Sequence, residues 1–232
     1  MPRVGIDLDL TSFETTNPLL RRIEERYGIR VERSDMTHVH YNKNEALKSL
    51  TDDQIRLLYL ESCWQNGNYR KLALMDPEVP RILSSTPLEP FINTTTWAED
   101  QDIHGLLNMH SFRYTDLYHL EHAVEKLDRD AVVYVDDHPA FAEEAAIRGK
   151  KIILLRQPHN IAFIEQNGLE GDKSKYPNIK VAWGWPTSVH GNRAIEHQLD
   201  VAFKEWSKWM RTRSENGRPS TFAKPHRARL HV

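Results

Sequence analysis

The sequence predicts an α/β fold, a Rossmann-like parallel sheet interrupted by a helical insertion after its first strand. Three observations predict it. Short apolar runs at residues 4–6, 131–135 and 152–155 fit strands buried on both faces. Helical periods closed by glycine lie between the later runs. Acids or threonines stand where strands end, and strand–helix alternation favours parallel pairing with right-handed crossovers.

Each element has its own signal. Residues 4–9 begin as an apolar strand and end in acids. Leu19, Leu20, Ile23 and Tyr27 recur at three and four, and Gly28 marks a helix stop. Thr51 with Gln54 three residues later forms a capping box ahead of Ile55 and Leu58. Residues 12–75 therefore read as mainly helical. Phe91 and Ile92 make a short strand running into Asn93, Thr94, Thr95 and Thr96. Leu117, Leu120, Val124 and Leu127 form a helical stripe. A buried strand follows at 131–135, a helix at 141–148 stopped by Gly149, and a second buried strand at 152–155. Residues 179–183 add an edge strand. Ile195, Leu199, Phe203, Trp206 and Met210 mark a long final helix.

Composition narrows the classes. The chain has 232 residues, with 31 Lys and Arg against 33 Asp and Glu, a net charge of −2. That balance argues against a globally basic nucleic-acid binder and against an acidic disordered chain. Cys63 is the single cysteine, which excludes an internal disulfide and a cysteine-based zinc or iron–sulfur site. In a helix without a basic partner it reads as buried and inert. No apolar run approaches the ~20 residues of a membrane span, and residues 1–10 do not read as a secretory leader. A cytoplasmic, soluble enzyme is expected, without membrane contact. Residues 211–232 carry six Lys and Arg against Glu215 alone. They read as a basic tail, either mobile or in contact with nucleic acid.

The acids at strand ends carry the chemistry. Asp7 and Asp9 alternate along a strand and so share a side. Two carboxylates placed together repel unless a cation or a shared proton compensates. Asp136 and Asp137 pose the same problem after the next buried strand. Open parallel sheets bind ligands at their carboxyl ends, and an oxygen-rich set there suits Mg2+. Each pair alone has a plainer reading as turn or cap chemistry; their common place at strand ends favours a site.

Together these motifs resemble the haloacid dehalogenase superfamily of phosphotransferases. Asp7-Leu8-Asp9-Leu10-Thr11 matches the first motif and Phe91-Ile92-Asn93-Thr94 the second. Lys126, ten residues before Asp136, matches the third, and the run from Val132 to Asp137 the fourth. Within the superfamily the chain is most similar to the 5'(3')-deoxyribonucleotidases, which carry a helical cap after the first motif. Their second motif ends Thr-Ser, where this chain has Thr94-Thr95. It departs in carrying Glu99, Asp100 and Asp102 where those enzymes carry basic residues.

The resemblance implies a catalytic core of residues 1–11 and 76–210, a helical cap of 12–75 and a basic tail of 211–232. It implies Mg2+-dependent hydrolysis of (deoxy)nucleoside monophosphates through an aspartyl-phosphate. Asp7 would be the nucleophile and Asp9 the general acid, then base. Asp7, the backbone carbonyl of Asp9, and Asp136 would bind the metal, with Asp137 orienting them. Thr94, Thr95 and Lys126 would bind phosphate. Phe13, Tyr41, Trp64, Tyr69 and Trp97 are aromatic candidates for stacking on a base, although helical aromatics such as Trp64 are more often core. His119 and His122, at i, i+3 without a third ligand, read as an exposed helical face. His138 could face the site. A homodimer is compatible with the resemblance. Rival readings are a phosphatase of other small metabolites, a polynucleotide end-processing phosphatase using the tail, and a non-catalytic binding protein on the same fold.

Overall fold

A computed structural model describes residues 1–172 and 174–215. In chain order its elements are β1 (Arg3–Ile6), β2 (Phe13–Glu14), α1 (Thr16–Tyr27), α2 (Asp52–Tyr59), β3 (Ala73–Leu74), α3 (Val79–Ser85), β4 (Glu89–Thr94), α4 (Asp100–Met109), β5 (Leu117–His119), β6 (Val133–Asp136), α5 (Pro139–Ile147), β7 (Ile152–Leu155), α6 (Ile161–Gln166), β8 (Ile179–Ala182), α7 (Thr187–His190) and α8 (Ile195–Glu215). Six strands form one sheet in the order β5-β4-β1-β6-β7-β8. Every pairing in it is parallel. The expected fold class is thus the observed one, with β1 at the centre and β8 at an edge.

The apolar runs are buried on both faces, which is why they lack alternation. Val133, Val135, Ile153 and Leu155 point into one core layer, and Tyr134, Ile152 and Leu154 into the other. At Gly5 a side chain would not fit. A Cβ there would lie 2.8 Å from the Tyr134 ring and 3.0 Å from that of Phe91.

The segment after β1 leaves the sheet and returns through a two-stranded antiparallel ribbon, Phe13 opposite Leu74 and Glu14 opposite Ala73. Within it, α1 ends at Gly28, whose φ of 68° lets its N–H reach the Glu24 carbonyl. Helix α2 begins with the expected capping box, Thr51 accepting from the Gln54 N–H. Its burial of Ile55, Leu58 and Tyr59 places it against α1 and the core.

Two expectations change. The stripe of Leu117, Leu120, Val124 and Leu127 is not one helix. Residues 117–119 pair with β4 as a strand, and a 3-10 turn spans Ala123–Asp128. Spacing of three and four arose from two elements in succession. His119 therefore ends a strand and shares no helical face with His122. Of the expected basic tail, residues 211–215 belong to α8; residues 216–232 lie outside the described residues. No helix among the described residues is long and apolar enough to cross a membrane.

Candidate active site

Parallel pairing brings the carboxyl ends of β1, β4 and β6 to one edge. Ile6 is level with Ile92 on one side and Val135 on the other. The next residues, Asp7, Asn93 and Asp136, consequently meet. Thr94 follows one residue further along β4.

Asp7 is buried, and the sheet register continues one residue into it through its N–H to the Val135 carbonyl at 3.0 Å. The chain then turns tightly. Ser12 Oγ donates to the Asp7 carbonyl at 2.8 Å, and Leu10 adopts φ 55°. Leu10 is a non-glycine residue in the left-handed region, a cost on the order of 1 kcal/mol. Hydrogen bonds from outside hold the turn: Gln157 Nε2 to the Leu10 carbonyl and Trp185 Nε1 to the Thr11 carbonyl, both 2.9 Å.

Lys126 links the two central acids. Its Nζ donates to Asp7 Oδ1 at 2.7 Å and to Asp136 Oδ2 at 2.8 Å, in a fully enclosed setting. Asn93 steadies it by donating to the Lys126 carbonyl at 3.1 Å. Burial would lower the Lys126 pKa, but the two carboxylates outweigh it and raise it. Asp7 moves well above the usual carboxylate range, burial and neighbouring acids prevailing over Lys126.

Asp136 and Asp137 have different partners. Asp136 Oδ1 accepts the His138 N–H at 2.8 Å. Asp137 accepts from Thr11 Oγ1 at 3.1 Å and lies 2.9 Å from His159 Nε2. Burial opposes ionisation of Asp137, yet His159 overcomes it and holds the pKa below its ordinary value. The reciprocal effect raises His159 despite its own burial. His138 lines the cavity as expected, with its pKa lowered by burial. One oxygen from each of Asp7, Asp136 and Asp137 lies within 4.8 Å of the others. This trio groups Asp137 with the two acids, whereas the expected grouping used the Asp9 backbone carbonyl.

The Asp9 carboxylate stands apart from that trio. Tyr59 donates to its Oδ2 at 2.7 Å, and its Oδ1 is buried without a hydrogen-bond partner. Burial raises the Asp9 pKa to about 6, the hydrogen bond from Tyr59 acting against the shift.

These groups line one cleft of about 940 Å³, its open mouth included. Thr94, Thr95, Lys126 and all four acids line it. Tyr41 and Trp97 are on its walls, with Trp97 45% exposed. The other three aromatics do not line it. Phe13 packs between Phe112 and His110, Trp64 is enclosed in the core, and the Tyr69 ring covers Gly105. Their size and apolarity are used for packing. Cys63 is buried as expected, and burial pushes its thiol up to about 12. Tyr59, Thr96, Arg33 and His159 also line the cleft and were not singled out in the sequence. For His159 a signal existed, since its Pro-His-Asn turn follows the strand end at Leu155.

No protein-family model and no curated protein matches this sequence. Solved structures do resemble it. A predicted phosphatase from Clostridium acetobutylicum is 13% identical and superposes with a TM-score of 0.54, over 78% of this chain and 93% of that one. The haloacid dehalogenase-like hydrolase SP0104 from Streptococcus pneumoniae is 15% identical, with a TM-score of 0.51 and the same coverage. A haloacid dehalogenase family hydrolase from Deinococcus radiodurans, solved with phosphate and sodium, is 10% identical, with a TM-score of 0.50 over 78% and 91%. The chain has the fold of these hydrolases. Its strand ends hold a buried acid cluster suited to a metal ion.

Proposed function

We propose that this chain is a Mg2+-dependent phosphomonoesterase of the haloacid dehalogenase type, acting on nucleoside monophosphates through an aspartyl-phosphate. The observation that carries the reading is the Asp7 carboxylate, buried at the floor of the cleft and hydrogen-bonded to Lys126 beside two further acids. In this reading residues 12–75 form a cap over a core of 1–11 and 76–210.

Three carboxylates share Lys126 and His159 and stay under-neutralised, and an all-oxygen donor set fits a hard divalent cation. Asp7, Asp136 and Asp137 would hold it, with the Asp9 carbonyl that the resemblance adds. A bound Mg2+ supplies charge neutralisation for the phosphoryl oxygens and for Asp7.

Asp7 attacks phosphorus, and the bond to the leaving oxygen breaks as the bond to Asp7 forms. Asp9, protonated at the start, gives its proton to that oxygen. Asp9 then takes a proton from water, whose oxygen attacks the aspartyl-phosphate. Phosphate departs and Asp7 is restored. Thr94 and Thr95 donate to phosphoryl oxygens, and Lys126 offsets charge that builds there.

The cleft favours a neutral, flat leaving group. Arg33 is paired with Glu14 and bonded to Gln157, while Lys126 is taken by Asp7 and Asp136. Neither is left for a carboxylate or second phosphate on the substrate. Tyr41 and Trp97 line the cleft, and a base would stack on such rings. A deoxyribonucleotide is favoured by the sequence resemblance.

The test is phosphate release from 5'- and 3'-nucleoside monophosphates, sugar phosphates and a 3'-phosphorylated oligonucleotide. Turnover of one nucleotide class is expected with Mg2+, abolished by chelator and by Asp7→Asn. Absence of turnover by folded, metal-loaded protein would overturn the reading. Preference for sugar phosphates would move the substrate to another class.

A further inference from the structure

Asp9 is gripped by one of its two carboxylate oxygens. Oδ2 accepts the Tyr59 hydroxyl at 2.7 Å, while Oδ1 is buried and unpartnered. The Tyr59 oxygen also lies 2.8 Å from Thr96 Oγ1. A phenol has one proton, and here it goes to Asp9. Thr96 must then be the donor to Tyr59, which gives a directed chain from Thr96 through Tyr59 to Asp9.

The three links come from separate parts of the fold. Asp9 lies just past β1, Tyr59 ends α2 in the inserted segment, and Thr96 follows β4. Each link is fixed. The Tyr59 ring is buried and meets Trp97 edge-on, with centroids 5.4 Å apart at 89°. The Thr96 N–H donates to Thr94 Oγ1 at 3.2 Å. The Thr96 carbonyl accepts from His119 Nε2 at 2.6 Å, and the other ring nitrogen of His119 bonds Asp100 at 2.6 Å.

We infer that Tyr59, steadied by Thr96, is a positioning residue that holds Asp9 by Oδ2 and thereby presents Oδ1 to the leaving oxygen of the substrate. The inference rests on the phosphomonoesterase reading above. It makes the inserted segment part of the proton-transfer machinery. The proton still travels from Asp9 to the ester oxygen; Tyr59 fixes only which carboxylate oxygen carries it.

The benefit of a placed acid grows with the basicity of the leaving group. An alkoxide leaving from a nucleoside monophosphate needs the proton; p-nitrophenolate does not. The experiment measures kcat/KM with Mg2+ for wild type, Tyr59→Phe and Thr96→Val. Substrates are a nucleoside monophosphate and aryl phosphates of graded leaving-group acidity. This parameter reports steps up to ester cleavage, so slow hydrolysis of the phosphoenzyme does not mask the effect.

Tyr59→Phe is expected to lose roughly 10- to 100-fold on the nucleotide and under about 3-fold on p-nitrophenyl phosphate. Thr96→Val should show the same gradient with smaller amplitude. Circular dichroism melts establish that both variants are folded. An equal loss across all esters, or no loss on any, would overturn the positioning role while leaving the phosphatase reading intact. Wild-type protein inactive on every ester would remove both.

Discussion

Asp9 illustrates how a buried carboxylate weakens the molecule that carries it. Burial lifts its pKa from 3.8 to about 6. Between those values the folded chain binds more protons than the unfolded chain, so stability falls as pH rises through that window. Asp7, also raised, and His159, whose raised pKa makes its contribution fade with rising pH, act in the same direction. His110 and His138, lowered by burial, act in the opposite direction; with Asp7, Asp9 and His159 acting together, chelated protein should still melt at a higher temperature at pH 5.5 than at pH 7.5. Asp9→Asn should raise the pH 7.5 melting temperature and flatten the slope, a gain on the order of 1–3 kcal/mol. A variant less stable than wild type at both pH values would show that the Asp9 charge is not a burden. The motif acids could be found in sequence because strand-end chemistry is local. Tyr59 could not, since its spacing from Ile55 reads as an ordinary core stripe. Only the folded chain brings it to Asp9, 50 residues away.

Strands were legible where burial on both faces left uninterrupted apolar runs, as in β6 and β7. β5 was not, because three residues carry too little pattern to oppose a helical spacing continued by the turn after it. Aromatic residues misled for a related reason. Phe13 and Trp64 have the same composition signal whether they line a cleft or fill a core. At β1 the constraint is glycine. Gly5→Ala would drive a methyl group into the rings of Tyr134 and Phe91 between the two strands that flank Asp7. Overpacking of this kind costs about 1–3 kcal/mol. Urea unfolding should show a lower midpoint with an unchanged m-value. A midpoint equal to wild type would mean that the rings have room to move.

At the scale of the whole molecule, four carboxylates, one lysine and five threonines from distant stretches share one cleft. The sheet order, not sequence proximity, assembles them. The end of the chain offers a separate question. Removal of residues 216–232 takes away Arg218, Lys224, Arg227 and Arg229 without cutting α8. Under the mononucleotide reading the truncated enzyme should keep its kcat/KM on nucleoside monophosphates. Salt-sensitive binding of an oligonucleotide that disappears on truncation would instead favour a polynucleotide substrate.

The central place of β1 has a consequence for how the chain acquires its structure. β1 precedes both of its partners, and the nearer one, β4, begins at Glu89. During synthesis the first strand emerges with both edges bare. It can pair on one side only after residue 94, and on the other only after residue 136. Contacts of such long separation close slowly and expose apolar strand edges meanwhile. The strand that leads into Asp7 is thus also the one that waits longest for its neighbours.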